Sequence, residues 1–172
     1  MERILVSSCL AGRPVRYDGA AKPVDAGLFE RWRVEGRLVP FCPEVSGGLP
    51  VPRPPAEIVS TSLGSNGTVA DGAAVLDGKA RVLTDAGADV TDAFVHGARL
   101  ALDAAERASA RIAILKEGSP SCGSHRIYDG TFTGASVAGD GVTTALLERA
   151  GIRVFSEDDL EAVAALLARL EN

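Results

Sequence analysis

Short apolar runs, each too brief for a helix and none cleanly alternating, recur along this chain with helical stripes between them. Residues 3–8 (R-I-L-V-S-S), 37–41 (R-L-V-P-F), 111–115 (R-I-A-I-L) and 152–155 read as strands covered on both faces. Leu28, Phe29 and Trp32 predict a helix over 26–35, capped by Asp25 and ended by Gly36. Phe94, Ala98, Ala101, Leu102 and Ala105 predict another, entered at Asp89 or Asp92 and reaching about residue 108. Val142, Ala145, Leu146 and Ala150 mark a third, stopped by Gly151. Ser156 and Asp159 resemble a capping box for the last, whose stripe is Leu160, Val163, Ala164, Leu167 and Leu170. Strands alternating with helices imply an α/β fold: a three-layer, Rossmann-like parallel sheet with helices on both faces, joined by right-handed crossovers.

Two stretches depart from that rhythm. Pro40 lacks an N–H for a ladder and so argues against a central position for its strand, and the prolines between residues 50 and 55 favour an extended, polyproline-like arm. Beyond it, residues 73–76 and 80–83 predict a small β-hairpin excursion turned at Asp77-Gly78, the strongest two-residue turn signal in the chain. A chain of 172 residues, 46% apolar, suits one domain spanning 1–172.

Charge and cysteine usage narrow the partners. A net charge of −5 argues against a surface that tracks nucleic-acid phosphates, so no nucleic-acid partner is expected and a small molecule is favoured. No apolar run approaches the roughly 20 residues that span a bilayer, and M-E-R-I-L-V-S-S lacks the layout of a secretory leader. A cytoplasmic protein without a membrane partner is the expectation. There, three cysteines do not form structural disulfides.

Cys9, Cys42 and Cys122 each fall just past the carboxyl end of a predicted strand, where parallel α/β folds bind their ligands. Thiolates gathered at one edge select zinc, copper(I) or an iron–sulfur centre, and three ligands leave a coordination position open for water or substrate. Against this, nothing resembles C-x-x-C, and buried thiols also serve as small core residues. Lys116-Glu117-Gly118-Ser119-Pro120-Ser121-Cys122-Gly123-Ser124 is the richest of the three loops. Its glycines admit a close ligand, and Ser119 and Ser121 can either donate to that ligand or satisfy their own turn. Glu44, two residues past Cys42, is the favoured acid or base, with Asp18 on the first loop behind it. His125 is the better placed of the two histidines, His96 falling mid-helix.

V-S-S-C-L-A-G-R-P-V-R-Y-D-G (6–19), C-P-E-V-S-G-G-L-P-V-P-R-P-P-A-E-I (42–58), L-K-E-G-S-P-S-C-G (115–123) and Y-D-G-T-F-T-G (128–134) resemble the motifs of the bacterial thiouracil desulfurase (desulfidase) family over nearly the whole chain. The resemblance implies a [4Fe–4S] cluster held by Cys9, Cys42 and Cys122, with Glu44 as the catalytic carboxylate and Ser119 or Ser121 assisting. It implies non-redox desulfuration of a thiolated pyrimidine, 2-thiouracil or a related derivative, to uracil and hydrosulfide. Two readings from other classes compete. One is a cluster-free enzyme with Cys122 as nucleophile and His125 as base; the other is a non-catalytic metal or iron–sulfur protein with no use for Glu44.

Overall fold

In a computed structural model, which describes residues 1–61 and 70–172, four parallel strands form a sheet in the order β2–β1–β5–β8. These are β1 (Ile4–Ser7), β2 (Leu38–Phe41), β5 (Ile112–Leu115) and β8 (Arg153–Ser156). All of β1 and β5 is buried, as their unbroken apolar runs require. β2 lies at an edge, where Pro40 costs no ladder bond on its open side.

Alternate residues of β1 feed two cores. Ile4 and Val6, with Ile112 and Ile114, pack against Phe29 and Trp32 of α1 (Gly27–Val34) and Val163, Leu166 and Leu167 of α6 (Leu160–Glu171). Leu5, with Ala113 and Leu115, faces Ala101 and Ala105 of α4 (Thr91–Arg107) and Leu147 of α5 (Val142–Arg149). Helices therefore cover both faces, and burial of each large aliphatic side chain contributes about 1.5–3 kcal/mol. Ser156 donates from its N–H and hydroxyl to Asp159 at 2.9 and 3.0 Å, but it does not cap the last helix: α6 begins at Leu160, with Asp159 itself at the N-cap and no side-chain cap bond. Asp25 does not cap α1; Ala26 holds that position without a side-chain bond. Nor does an aspartate cap α4, whose N-cap is Val90 while Asp89 bonds the Thr91 N–H.

The excursion contains a hairpin, but not the predicted one. Residues 72–76 form a short helix, α3 (Gly72–Leu76), whose N-cap Asp71 accepts from the Ala74 N–H. Asp77-Gly78 ends that helix, because a glycine at φ 76° serves a helix terminus as well as a hairpin turn. The strand after it, β4 (Ala80–Thr84), pairs antiparallel with β3 (Ala56–Ser60), which directly follows the proline-rich arm. A further hairpin, β6 (Arg126–Tyr128) with β7 (Ser136–Ala138), encloses most of the Y-D-G-T-F-T-G motif. Ile58, Val82, Phe94, Ile127 and Val142 join these pieces to α4 and α5 in a third core.

Candidate active site

The sheet order reverses beside β1: the chain leaves β1 for β2 on one side and returns as β5 on the other. At such a switch point the loops after neighbouring strands diverge and leave a crevice. A cavity of about 490 Å³ lies there, and Cys9, Cys42, Cys122, Glu44, Arg53 and Ser119 all line it. Local chemistry explains each approach. Cys9 sits in the tight turn that follows β1, where the Leu10 N–H donates to the Ser7 carbonyl at 2.9 Å. Cys42 is the N-cap of α2 (Pro43–Ser46), a one-turn helix pre-set by proline at its first position. Cys122 rides on a loop closed by Ser119, whose hydroxyl oxygen accepts from the Ser121 and Cys122 N–H groups at 3.1 and 3.3 Å.

All three cysteines are free thiols, Cys9 and Cys122 buried and Cys42 half-buried. Burial, then the neighbouring charge of Cys42, pushes the Cys9 thiol up to about 11. Burial likewise raises Cys42, against the backbone amide of Val45. Cys122 is raised most, first by burial and then by Glu44, Cys42 and Cys9. The thiols thus share one electrostatic neighbourhood in which none ionises unaided near neutral pH. A bound cation reverses that, because a metal centre takes thiolates and compensates their charge. Among the described residues no three His, Cys, Asp or Glu side chains converge on one ion. A multi-iron cluster needs no such point, since its ligands are spread around a body several ångströms across. Three soft donors in one cavity therefore fit a cluster with one position left over.

Glu44 is the carboxylate among them. Burial pushes it above the ordinary carboxylate range, while the Arg53 guanidinium, Nε 3.3 Å from Oε1, and the Ser119 hydroxyl pull the other way. A carboxylate raised by burial is a better proton acceptor than an ordinary one. Arg53 is fixed in turn: its side chain is 5% exposed, and it donates to the Pro50 and Val15 carbonyls at 3.2 and 3.0 Å.

Other expected residues lie elsewhere. The structure does not bring Ser121 to the cavity; its buried hydroxyl meets Thr143 Oγ1 at 2.9 Å. His125 does not line the cavity either. Its Nδ1 lies 2.7 Å from Glu117 and its Nε2 3.5 Å from Asp159, so neither nitrogen is available as a base for Cys122. A free Cys122 nucleophile would also need a lowered pKa, and its pKa is raised. Asp18 spends Oδ1 on its own turn, accepting from the Ala20 N–H. His96 is exposed on α4.

Three buried charges that line the cavity escaped the sequence: Arg53, Glu57 and Glu117. Glu117 accepts from the N–H groups of Gly118, Ser124, His125 and Arg126 and so clamps both ends of the Cys122 loop. No local pattern marks Glu117 or Glu57. The signal for Arg53 was its place in P-R-P-P, a rigid arm able to carry one cation inward.

These features define a class: a parallel α/β protein whose switch-point crevice is lined by three free thiols, a half-buried carboxylate and the arginine paired with it. The model for the 2-thiouracil desulfurase family matches residues 4–159, and the chain belongs to that family. It is similar to the uncharacterized protein YbbK of Bacillus subtilis (strain 168), with 46% identity over 162 residues, covering 93% of this chain and 99% of YbbK. Among solved structures it is similar to the [4Fe-4S]-dependent thiouracil desulfidase TudS, with a TM-score of 0.83, 49% identity, and coverage of 98% of this chain and 99% of that one. Among the described residues no helix is long and apolar enough to cross a membrane.

Proposed function

We propose that this protein, acting as one domain, removes sulfur from a thiolated pyrimidine such as 2-thiouracil, with water replacing sulfur and uracil and hydrosulfide as products. Cys9, Cys42 and Cys122 would hold a [4Fe–4S] cluster. The observation that carries the reading is that all three thiols and Glu44 line one cavity, within a family whose structural relative is named as cluster-dependent. When bound, such a cluster supplies a Lewis-acidic position for the thiocarbonyl sulfur. Glu44 takes a proton from the water that attacks the ring carbon, at a carboxylate kept basic enough by burial. Arg53 orients that carboxylate through Nε and limits how far burial raises it. Ser119, its oxygen occupied by two N–H donors, turns its own hydrogen toward Glu44 or the substrate. No electron is gained or lost: the C=S bond becomes C=O, the sulfur leaves as hydrosulfide with one of the water's protons, and the other passes to solvent.

The test pairs iron and sulfide content with hydrosulfide release from 2-thiouracil under anaerobic conditions. Glu44→Gln keeps size and hydrogen bonding but cannot take the proton, so a loaded variant should turn over about 10²-fold more slowly. A loaded variant with wild-type turnover refutes the role of Glu44. A loaded wild-type protein that releases no hydrosulfide refutes the reaction.

A further inference from the structure

Glu57 is a charged residue that the mechanism leaves unused. It stands on β3, 7% exposed, and lines the same cavity as the thiols. Its Oε1 accepts two backbone bonds, from the N–H groups of Gly130 at 3.0 Å and Phe132 at 3.2 Å. No described residue bonds Oε2, yet no buried side-chain oxygen among the described residues lacks a partner. Oε2 is therefore not fully buried, and Glu57 lines the cavity. Burying a carboxylate and leaving half of it unbonded is costly unless something arrives to bond it.

The residue that Glu57 holds is itself unusual. Phe132 adopts φ 57°, a left-handed conformation that bulky side chains avoid, and this exposed residue lines the cavity. Strain of that kind persists only where the surroundings enforce it. The Glu57 bond to the Phe132 N–H is such an enforcement. Gly130 lets the loop come close enough, since a Cβ there would meet the Ile58 carbonyl oxygen at 2.6 Å. One carboxylate thus fixes an aromatic wall with one oxygen and presents an acceptor with the other.

We propose that Glu57 and Phe132 form the subsite that recognises the substrate's ring: Oε2 accepts a ring N–H, and the Phe132 ring packs against the ring face. The chemical class selected is a flat cyclic thioamide that still carries an N–H beside the thiocarbonyl. This rests on the desulfuration reading for the identity of the ring. A charged acceptor facing a single donor discriminates strongly, because a ligand without the donor leaves the carboxylate unbonded in the cavity.

Glu57→Gln separates the two duties. Its amide oxygen can still accept from Gly130 and Phe132, while the group facing the cavity becomes a donor. Anaerobic titration of the cluster-loaded protein with uracil, which cannot turn over, reads binding alone. Turnover of 2-thiouracil and of its 1-methyl and 3-methyl derivatives reads discrimination. The expected result is at least tenfold weaker uracil binding and a KM for 2-thiouracil raised at least tenfold with kcat changed less. The wild-type protein should reject one methyl isomer at least tenfold, and the variant should lose that preference. Phe132→Leu should raise KM without altering the isomer preference. Uracil binding of wild-type strength in Glu57→Gln, or a wild-type protein that accepts both methyl isomers as well as the parent, overturns the proposal. A wild-type protein that binds uracil and loses it in Glu57→Gln, but releases no hydrosulfide, upholds this subsite and sinks the reaction instead.

Discussion

Replacing Arg53 by Met keeps most of the side chain's volume and removes only its charge and donors. In the wild type those donors serve Glu44 at 3.3 Å, Pro50 at 3.2 Å and Val15 at 3.0 Å, from a side chain 5% exposed. Breaking a buried pair by removing one partner costs about 3–5 kcal/mol. Glu44 has an escape, because it can bind a proton instead of carrying an unpaired charge. From an ordinary carboxylate value of 4.5, protonation at pH 7 costs about 3.4 kcal/mol, which bounds its share of the penalty. The two orphaned carbonyls add to that, so a deficit of about 3–5 kcal/mol at pH 7 is expected, a large part of the ~5–15 kcal/mol typical of a domain. The pH dependence distinguishes this cause from simple misfit. Without Arg53 the folded-state pKa of Glu44 lies further above its unfolded value, so the deficit is smallest below about pH 4.5, grows as pH rises from the folded value with Arg53 to the higher one without it, and is constant beyond that. Urea unfolding of cluster-free protein, followed by fluorescence of the buried Trp32, measures it at pH 4.5 and pH 7. Arg53→Met with Glu44→Gln should recover much of the loss at pH 7. A deficit equal at both pH values, or a double variant no better than the single one, refutes the reasoning.

Glu117 gives a second pH signature. Burial opposes its charge, but the Arg126, His125 and Ser124 amides and the His125 ring outweigh it and hold the carboxyl at about 2. Its contribution, about 3 kcal/mol, is fully present above pH ~4.5 and is lost as pH falls toward 2, so Glu117→Gln should flatten the acid limb of a stability profile measured by urea unfolding. His125, raised first by its bond to Glu117, contributes below its unfolded value of about 6.5 and loses that contribution as pH rises through its folded value; the same variant should flatten this limb too. Gly97→Ala should destabilise despite alanine's better helix propensity of about 1 kcal/mol, because a Cβ there would stand 2.0 Å from the Pro43 carbonyl oxygen. The shift forced on α2 moves Cys42 and Glu44, so iron content and melting temperature should both fall; a variant that melts at or above wild type contradicts this.

Legibility followed the range of the determining interaction. β1 and β5 could be read because a strand buried on both faces must be apolar throughout, a property of four or five adjacent residues. The edge position of β2 followed from one missing N–H at Pro40. Three separate strand ends carrying cysteines sufficed to place those cysteines at one sheet edge, since parallel strands share a direction. The hairpin was misjudged because Asp77-Gly78 satisfies two local rules at once, and what decided between them was the pairing of β4 with β3 across intervening chain. β6 and β7 were lost for a related reason: three residues each, with little buried between them, they carry almost no periodic signal.

The buried charges show why the rest of the site could not be read. A crevice at a switch point is walled by loops, and loops lack a ladder to satisfy their N–H groups, so each buried donor must find an acceptor elsewhere. Glu117 takes up the amides of one cavity loop and Glu57 those of another, 73 residues from Gly130 in the chain, while Arg53 takes up the Val15 carbonyl of the loop after β1. Nothing beside Glu57 in the sequence announces this, because the demand arises at Gly130 and Phe132 and exists only once the hairpin of β6 and β7 has brought them near β3. A carboxylate or guanidinium suits the task better than a neutral group, since each can serve several loop groups at once through stronger, charge-assisted bonds. The loops that carry Cys122, Phe132 and Val15 are thereby tied by single side chains into fixed walls. That rigidity is what a site needs if it is to hold a reacting ring within a fraction of an ångström of its thiols and carboxylate.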